Sequence, residues 1–110
     1  MKRALLVLAF FAIFSCSQVW AGQIYGTLRE SDRPIANVKI EVVCGNNTYS
    51  AVTDNSGLYR LFAKDTGRCV ARAYYQNQAP QTGIDSYPNP AHYDFDLVRL
   101  PNGQYELRRR

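Results

Sequence analysis

Apolar and polar residues alternate with a period of two along most of the chain after residue 22. The clearest run places Val38, Ile40 and Val42 on one side of a strand, with Lys39 and Glu41 on the other, which is typical of a strand with one buried face. No segment there repeats apolar residues at helical spacing over eleven positions. We therefore predict an all-β protein with strands near residues 23–29, 37–43, 47–54, 58–63, 68–75, 92–99 and 104–109. The same alternation predicts buried side chains at Ile24, Leu28, Tyr59, Leu61, Tyr93, Phe95 and Leu97.

Short turns rich in Gly, Pro, Asn and Asp separate these strands. Seven short strands in so small a chain favour a two-sheet arrangement, and we predict a seven-stranded Greek-key β-sandwich. The segment 76–90 is different, because it contains three prolines and no alternation. We predict a long loop there, and loops of this length are often functional or mobile.

The amino-terminal residues have the order of a secretory signal peptide. Lys2 and Arg3 precede an apolar run over 4–14, and small and polar residues then lead to Ala21. A bilayer requires about twenty apolar residues, so this run is too short to span one. We expect cleavage after Ala21, which divides the chain into a signal peptide at 1–21 and a domain at 22–110 that is periplasmic or secreted and has no transmembrane helix. In an alternative interpretation Cys16 becomes a lipidated membrane anchor, although Phe14 is bulkier than the residue usual at that position.

Positive charge is concentrated at the carboxyl end. The net charge of +4 falls to +2 without residues 1–21, and Arg108, Arg109 and Arg110 carry the surplus. The body of the domain therefore has no basic face, and we predict no nucleic-acid binding. The three arginines are either solvated or form a candidate contact with an anionic partner, such as an anionic lipid, lipopolysaccharide or an acidic protein.

Two cysteines remain once the predicted signal peptide is set aside. Cys44 follows the alternating run 38–43, and Cys69 precedes the alternating run 70–75. In an oxidising compartment this pair is expected to form a disulfide. Closing a loop of about 26 residues stabilises a fold by roughly 3.5 kcal/mol. The chain has no Cys-x-x-Cys, so we predict a structural bond without a redox role.

Two motifs indicate a family. One is the run 34–38, Pro-Ile-Ala-Asn-Val, which follows Gly26-x-Leu28; the other is Thr-Asp-x-x-Gly-x-Tyr-x-Leu at 53–61, with a later Gly67. With these motifs, residues 22–99 resemble the carboxypeptidase regulatory-like domain, a transthyretin-like or prealbumin-like β-sandwich. Cys69 departs from the family pattern, and the tail beyond Leu97 lies outside the resemblance. The resemblance implies an accessory or ligand-contacting module, since a fold gives a class and not an activity.

Enzymes with related sandwiches need residues that this chain lacks. Hydroxyisourate hydrolases resemble transthyretin and use several histidines and a Tyr-Arg-Gly-Ser ending, and intradiol dioxygenases bind iron through two Tyr and two His. After residue 21 this chain has His92 as its one histidine and ends in three arginines. We therefore predict no enzymatic activity, no metal and no cofactor, with a hydrolase of the transthyretin-like group as a distant alternative. We expect His92, Asp94 and Asp96 to lie on the solvated face of a strand, and the 54–57 turn to be a hairpin and not a calcium loop, because it lacks the later Glu.

The remaining functional signal is aromatic. Tyrosines stand among amides and hydroxyls near the 76–90 segment, and such surfaces suit peptide or sugar contact. In another interpretation Tyr74 or Tyr75 belongs to the core and Tyr87 fixes its own loop. The leading hypothesis is a non-enzymatic interaction module with an unidentified partner in the cell envelope, and the alternative is a carbohydrate-binding module for envelope polysaccharide. The candidate contact residues are Tyr74, Asn77, Gln78, Asp85 and Tyr87.

Overall fold

The computed structural model describes residues 22–110, so the predicted signal peptide and the alternative anchor at Cys16 lie outside the described residues. The described residues form ten strands and no helix, and therefore no helix that could span a membrane. The all-β prediction is confirmed, with ten strands where seven were predicted. The strands are β1 (Gln23–Glu30), β2 (Arg33–Pro34), β3 (Lys39–Cys44), β4 (Asn47–Val52), β5 (Leu58–Phe62), β6 (Gly67–Tyr74), β7 (Gln81–Ser86), β8 (Ala91–His92), β9 (Phe95–Arg99) and β10 (Tyr105–Arg109).

The strands form two sheets in a sandwich-like arrangement. The first has β1 at its centre, paired antiparallel with β5 and β2 and parallel with β8 and β9, and β10 lies outside β9. The second is antiparallel and has the order β4, β3, β6, β7. The strands of five residues or more turn alternate side chains inward, as the period-two pattern requires. The buried apolar side chains between the sheets include Ile24, Leu28, Val38, Ile40, Val42, Tyr59, Leu61, Ile84, Phe95, Leu97 and Leu107.

The prediction of one long loop over 76–90 is wrong at β7, which pairs with β6 from Gly67↔Ser86 to Arg72↔Gln81. Thr82, Ile84 and Ser86 point inward along β7, but Ile84 is the only large apolar residue among them. When most inward side chains of a strand are small and polar, the sequence shows almost no alternation of apolar and polar residues. The segment is therefore a strand between two short connections.

The two motifs contact each other. Thr53 of the second motif is buried against Val38 of the first. Its Oγ1 accepts a hydrogen bond from the Val38 N–H at 2.9 Å, and its own N–H donates to the Val38 carbonyl at 2.9 Å. Gly57 has a φ of +77°, and a Cβ there would lie 2.7 Å from the Leu28 carbonyl oxygen and 3.0 Å from Pro34. Glycine is required by both the conformation and the close approach. The 54–57 turn thus fixes β5 against the entry to β3.

The predicted disulfide is confirmed between Cys44 and Cys69. The register of β3 and β6 continues beyond Val43↔Val70, so the two cysteines face each other on neighbouring strands. Their Cα atoms are 4.5 Å apart, the spacing typical of a pair that exchanges no backbone hydrogen bonds. The bond therefore joins two strands of the second sheet. It is compatible with an oxidising compartment outside the cytoplasm.

Candidate binding face

The five candidate contact residues do not lie together. Tyr74 ends β6, and Asn77 and Gln78 lie in the connection that follows. Asp85 pairs with Arg68 near the start of β6, and Tyr87 comes two residues later. Six residues of strand separate the two groups, or about 20 Å. A ligand of small size therefore meets one group or the other.

A tight turn connects β6 to β7 at the Tyr74 end. Tyr75 and Gln78 exchange two backbone hydrogen bonds of 2.9 Å, and the turn residues Gln76 and Asn77 have φ values of 53° and 61°. Such values are uncommon for residues other than glycine, and Asn tolerates them better than Gln. Gln76 and Asn77 are exposed at the tip of the turn.

Gln78 is turned toward the protein. Its Nε2 donates to the Gly103 carbonyl at 3.1 Å, and its Oε1 accepts from the Tyr105 N–H at 2.7 Å. The side chain thus ties the 101–104 turn to the β6–β7 connection. Its amide is engaged within the chain, whereas that of Asn77 faces solvent.

Tyr74 belongs to a network on the solvent side of the second sheet. Its hydroxyl donates to Glu41 Oε1 at 2.7 Å, and Arg72 Nη1 donates to the same oxygen at 2.9 Å. Arg72 also donates to Gln81 Oε1 from Nε and Nη2, at 3.2 and 3.1 Å. Lys39 Nζ lies 3.7 Å from Glu41 Oε2 and 5.4 Å from the centre of the Tyr74 ring. We call the surface formed by Lys39, Glu41, Arg72, Tyr74 and Gln81 the Tyr74 face.

The strand register builds this face. Lys39 is opposite Tyr74, Glu41 is opposite Arg72, and Arg72 is opposite Gln81. Sequence alternation already placed Lys39 and Glu41 outward, but it could not indicate which residues of β6 and β7 lie beside them. Arg72 and Gln81 were missed for that reason.

The neighbours of Glu41 on the Tyr74 face stabilise its negative charge. The hydrogen bond from Tyr74 is the largest influence on the pKa of the Glu41 carboxyl and lowers it. Burial opposes this effect, the charges of Lys39 and Arg72 add to it, and the pKa ends below the ordinary value of a glutamate. Glu41 is thus held as a carboxylate beside a tyrosine ring that is 40% exposed. A fixed ring bordered by a carboxylate, an amide and a guanidinium can stack on a ligand and hydrogen-bond to its hydroxyl or amide groups.

The other candidate residues, Asp85 and Tyr87, have different surroundings. Arg68 Nε lies 3.3 Å from Asp85 Oδ1 in an exposed ion pair. The Tyr93 hydroxyl donates to the Asp85 carbonyl at 2.8 Å and accepts from its N–H at 3.0 Å. Tyr87 is 50% exposed in the connection between β7 and β8. This end therefore offers one exposed ring beside an ion pair.

The prediction that His92, Asp94 and Asp96 are all solvated on one face is corrected for the two aspartates, which are half-buried. Asp94 Oδ1 accepts from the Thr27 N–H at 3.0 Å and from the Thr27 hydroxyl at 2.9 Å. His92 Nε2 lies 2.9 Å from the same oxygen, and its ring stacks on Tyr25 with centroids 5.0 Å apart. The side chain of His92 is exposed, as predicted.

Asp94 replaces a backbone acceptor. In a regular parallel pair the Thr27 N–H would donate to the Tyr93 carbonyl. That carbonyl instead accepts from the Tyr59 hydroxyl at 2.7 Å, and a Cβ on Gly26 would overlap its oxygen. Gly26 therefore makes room for the carbonyl, and Asp94 satisfies the Thr27 N–H. Burial raises the pKa of Asp94, but the Thr27 hydrogen bonds and the charge of His92 outweigh it and lower this pKa below its ordinary value.

The three terminal arginines are not a free tail. Arg108 and Arg109 belong to β10, and Arg108 pairs with Glu106 at 2.7 Å. Arg110 donates to Asp96 at 2.8 Å and to Asp32 at 3.0 Å. The guanidinium of Arg109 lies 5.9 Å from the centre of the Tyr93 ring. Two of the three charges are thus paired with carboxylates of the same chain.

Residues 22–110 contain no group of three or more His, Cys, Asp or Glu side chains placed to hold a metal ion. In the 54–57 turn, Asp54 Oδ1 accepts from the Ser56 N–H at 2.8 Å and from the Leu58 N–H at 3.0 Å. This carboxylate therefore serves the hairpin, as expected for that sequence.

No family model matches the chain, and no curated protein sequence matches it. Among solved structures, the chain is similar to part of a 9R-lipoxygenase from Cyanothece PCC8801, with a TM-score of 0.46 and 19% identity. That similarity covers 81% of this chain and 19% of the lipoxygenase chain.

Proposed function

We propose that the chain is an exported, non-enzymatic interaction module of the carboxypeptidase regulatory-like type, which binds a partner in the cell envelope through the Tyr74 face. The observation that carries the proposal is the hydrogen-bonded network of Glu41, Arg72, Tyr74 and Gln81 on an open sheet surface. Side chains that are already fixed lose little conformational freedom on binding. The disulfide in the same sheet adds to this rigidity.

The second candidate function is a carbohydrate-binding module for envelope polysaccharide. It is favoured by the exposed Tyr74 ring and by the polar groups around it, because flat rings stack on sugars while amides and carboxylates bond to hydroxyls. Asn77 lies in the turn that follows β6 and adds an exposed amide close to the ring.

The test is binding of the exported product to two targets, a glycan array and solubilised native envelope, after its amino terminus has been identified by mass. Tyr74→Ala should weaken retention at least about tenfold, the loss typical of a central aromatic contact. Tyr87→Ala is the matched control, since it removes an exposed ring about 20 Å away. Retention of a protein supports the interaction module, and retention of a glycan supports the second candidate. A folded sample that binds neither contradicts both, and an effect of Tyr87→Ala alone moves the contact to the other end.

A further inference from the structure

A row of small side chains crosses the outer surface of the second sheet. Val43 is paired with Thr48 in β4 and with Val70 in β6, and Val70 is paired with Gly83 in β7. Paired residues direct their side chains to the same face of a sheet. All four positions are at least partly exposed. The row therefore runs across the four strands, perpendicular to them.

Longer side chains lie on both sides of this row. On one side is the Tyr74 face, where Arg72 Nη2 donates to Gln81 Oε1 at 3.1 Å. On the other side Arg68 Nε lies 3.3 Å from Asp85 Oδ1. Successive rows on one face of a sheet are two residues apart, or about 7 Å. The small row is thus the floor of a shallow channel, which we call the Gly83 channel, and these two cross-strand pairs are its walls.

Gly83 has no structural reason to be glycine. A glycine inside a strand weakens it, and it often marks a bulge, a bend or the close approach of another backbone or a ligand. β7 pairs with β6 without interruption from Gln81 to Ser86, so there is no bulge. Gly83 does not have a positive φ, and among the described residues no atom would lie within 4 Å of an added Cβ. Of these reasons, the approach of a ligand remains.

The chemistry of the channel favours an uncharged ligand. Arg72 is paired with Glu41 at 2.9 Å and Arg68 with Asp85, so each wall is balanced in charge. The floor has two valines and no ionisable group. The walls offer both donors and acceptors, whereas the backbone groups of the central strands β3 and β6 are engaged on both sides. A peptide strand therefore finds no ladder to join on this face, but hydroxyl groups find partners.

We propose that the Gly83 channel binds a linear, uncharged polysaccharide whose chain runs across the strands. The apolar faces of its sugar rings lie on Val43 and Val70, and its hydroxyls bond to Arg72 and Gln81 in the wall that the channel shares with the Tyr74 face. Four strands span three spacings, about 14 Å, so the site takes a run of consecutive sugar units. This inference rests on the second candidate function, because it names the ligand class of that site.

The test is calorimetric titration of the exported product with neutral linear oligosaccharides of glucose, xylose, mannose or N-acetylglucosamine, from disaccharides to hexasaccharides. Affinity should increase with chain length and should not change with salt, because no ion pair forms with the ligand. Gly83→Leu fills the channel and should weaken binding of the longest chain at least about tenfold. Ser56→Leu is the matched control, because it adds the same side chain in an exposed turn.

The outcomes separate this inference from the function on which it rests. If Tyr74→Ala weakens binding of a sugar chain and Gly83→Leu does not, the second candidate function stands and the channel is overturned. Binding of uronic-acid chains alone, with a steep dependence on salt, also overturns it. If a folded wild type binds no neutral chain, this inference fails, whereas retention of an envelope protein would still support the interaction module. Thermal unfolding shows whether Gly83→Leu has kept the fold, and Gly83→Gln provides a second, polar substitution that fills the same space.

Discussion

At the scale of single residues, the position of the Tyr93 carbonyl explains the residues found at three positions: Gly26, Tyr59 and Asp94. The Tyr93 carbonyl leaves the ladder toward the core, where Tyr59 donates to it. Gly26 supplies the space, and Asp94 takes the place of the lost acceptor. Burial is the main cause that raises the pKa of the Tyr59 hydroxyl, and the charge of Asp94 adds to this effect. The hydroxyl therefore stays protonated and remains a hydrogen-bond donor.

Asp94→Asn tests the role of this carboxylate. The amide keeps an acceptor for Thr27 but loses the charge, so the free energy of unfolding near pH 7 should fall by about 1 to 2 kcal/mol. The pKa of Asp94 is lowered in the folded state, so its stabilising contribution is present above the ordinary aspartate pKa of about 3.9 and is lost as the pH falls through the lower folded value. The difference between variant and wild type should therefore shrink on acidification below about pH 4.

The measurement is chemical unfolding of both proteins from pH 7 to pH 2. Glu41 also has a lowered pKa, but it is present in both proteins, so its contribution cancels in the difference. A difference that stays constant over the whole range would show that the Asp94 charge does not stabilise the fold.

At the scale of strands, the alternation of apolar and polar residues predicts a strand only when its inward side chains are large and apolar. β3 and β9 were predicted because each turns at least two large apolar side chains inward. β7 turns Thr82, Ile84 and Ser86 inward and was missed, and β2 and β8 are two residues long and too short to alternate. A period-two pattern therefore reveals a strand only where the alternately buried side chains are also apolar.

The sequence likewise predicts only part of the Tyr74 face. Alternation places Lys39 and Glu41 outward, and each is partly or fully exposed. The sequence alone left open whether Tyr74 belongs to the core, and the structure exposes it. Their meeting with Arg72 and Gln81 depends on the register between three strands. Register arises from turns and from core packing together, and a single sequence does not display it.

Gly26→Ala tests the close approach of two strands. The added methyl would overlap the Tyr93 carbonyl oxygen, so that carbonyl must move and its bond to Tyr59 is lost. Overpacking and the lost hydrogen bond together should lower the free energy of unfolding by about 2 to 4 kcal/mol. Gly83→Ala is the matched control, because Gly83 also lies in a strand but its added Cβ would meet nothing within 4 Å.

Denaturant unfolding of both variants gives the comparison. Gly83→Ala should be neutral or slightly stabilising, since alanine reduces the freedom of the unfolded chain. If the two substitutions cost the same, the approach of Tyr93 to Gly26 is not what requires glycine at that position.

At the scale of the whole molecule, the second sheet carries both the disulfide and the Tyr74 face. Cys44 and Cys69 are buried and join the two central strands of that sheet, β3 and β6. The Tyr74 face lies on the outer surface of the same strands, and β4 borders β3 on its other side. The stability of this sheet therefore bears directly on the proposed contact surface, the Tyr74 face.

Replacing both cysteines by alanine tests that dependence. The bond closes a loop with a sequence separation of 25 residues, and its loss should lower the free energy of unfolding by roughly 3.5 kcal/mol, because the unfolded chain regains the freedom of that loop. Chemical unfolding of the wild type, with and without a reducing agent, and of the Cys44→Ala/Cys69→Ala variant provides the measurement. The reduced wild type keeps the cysteine side chains. The decrease in its free energy of unfolding therefore measures the effect of the bond alone, without the effect of the missing sulfur atoms. If reduction leaves the free energy of unfolding unchanged, the disulfide has no structural role. If reduction lowers that free energy and also weakens binding through the Tyr74 face, the disulfide holds this face in its binding conformation.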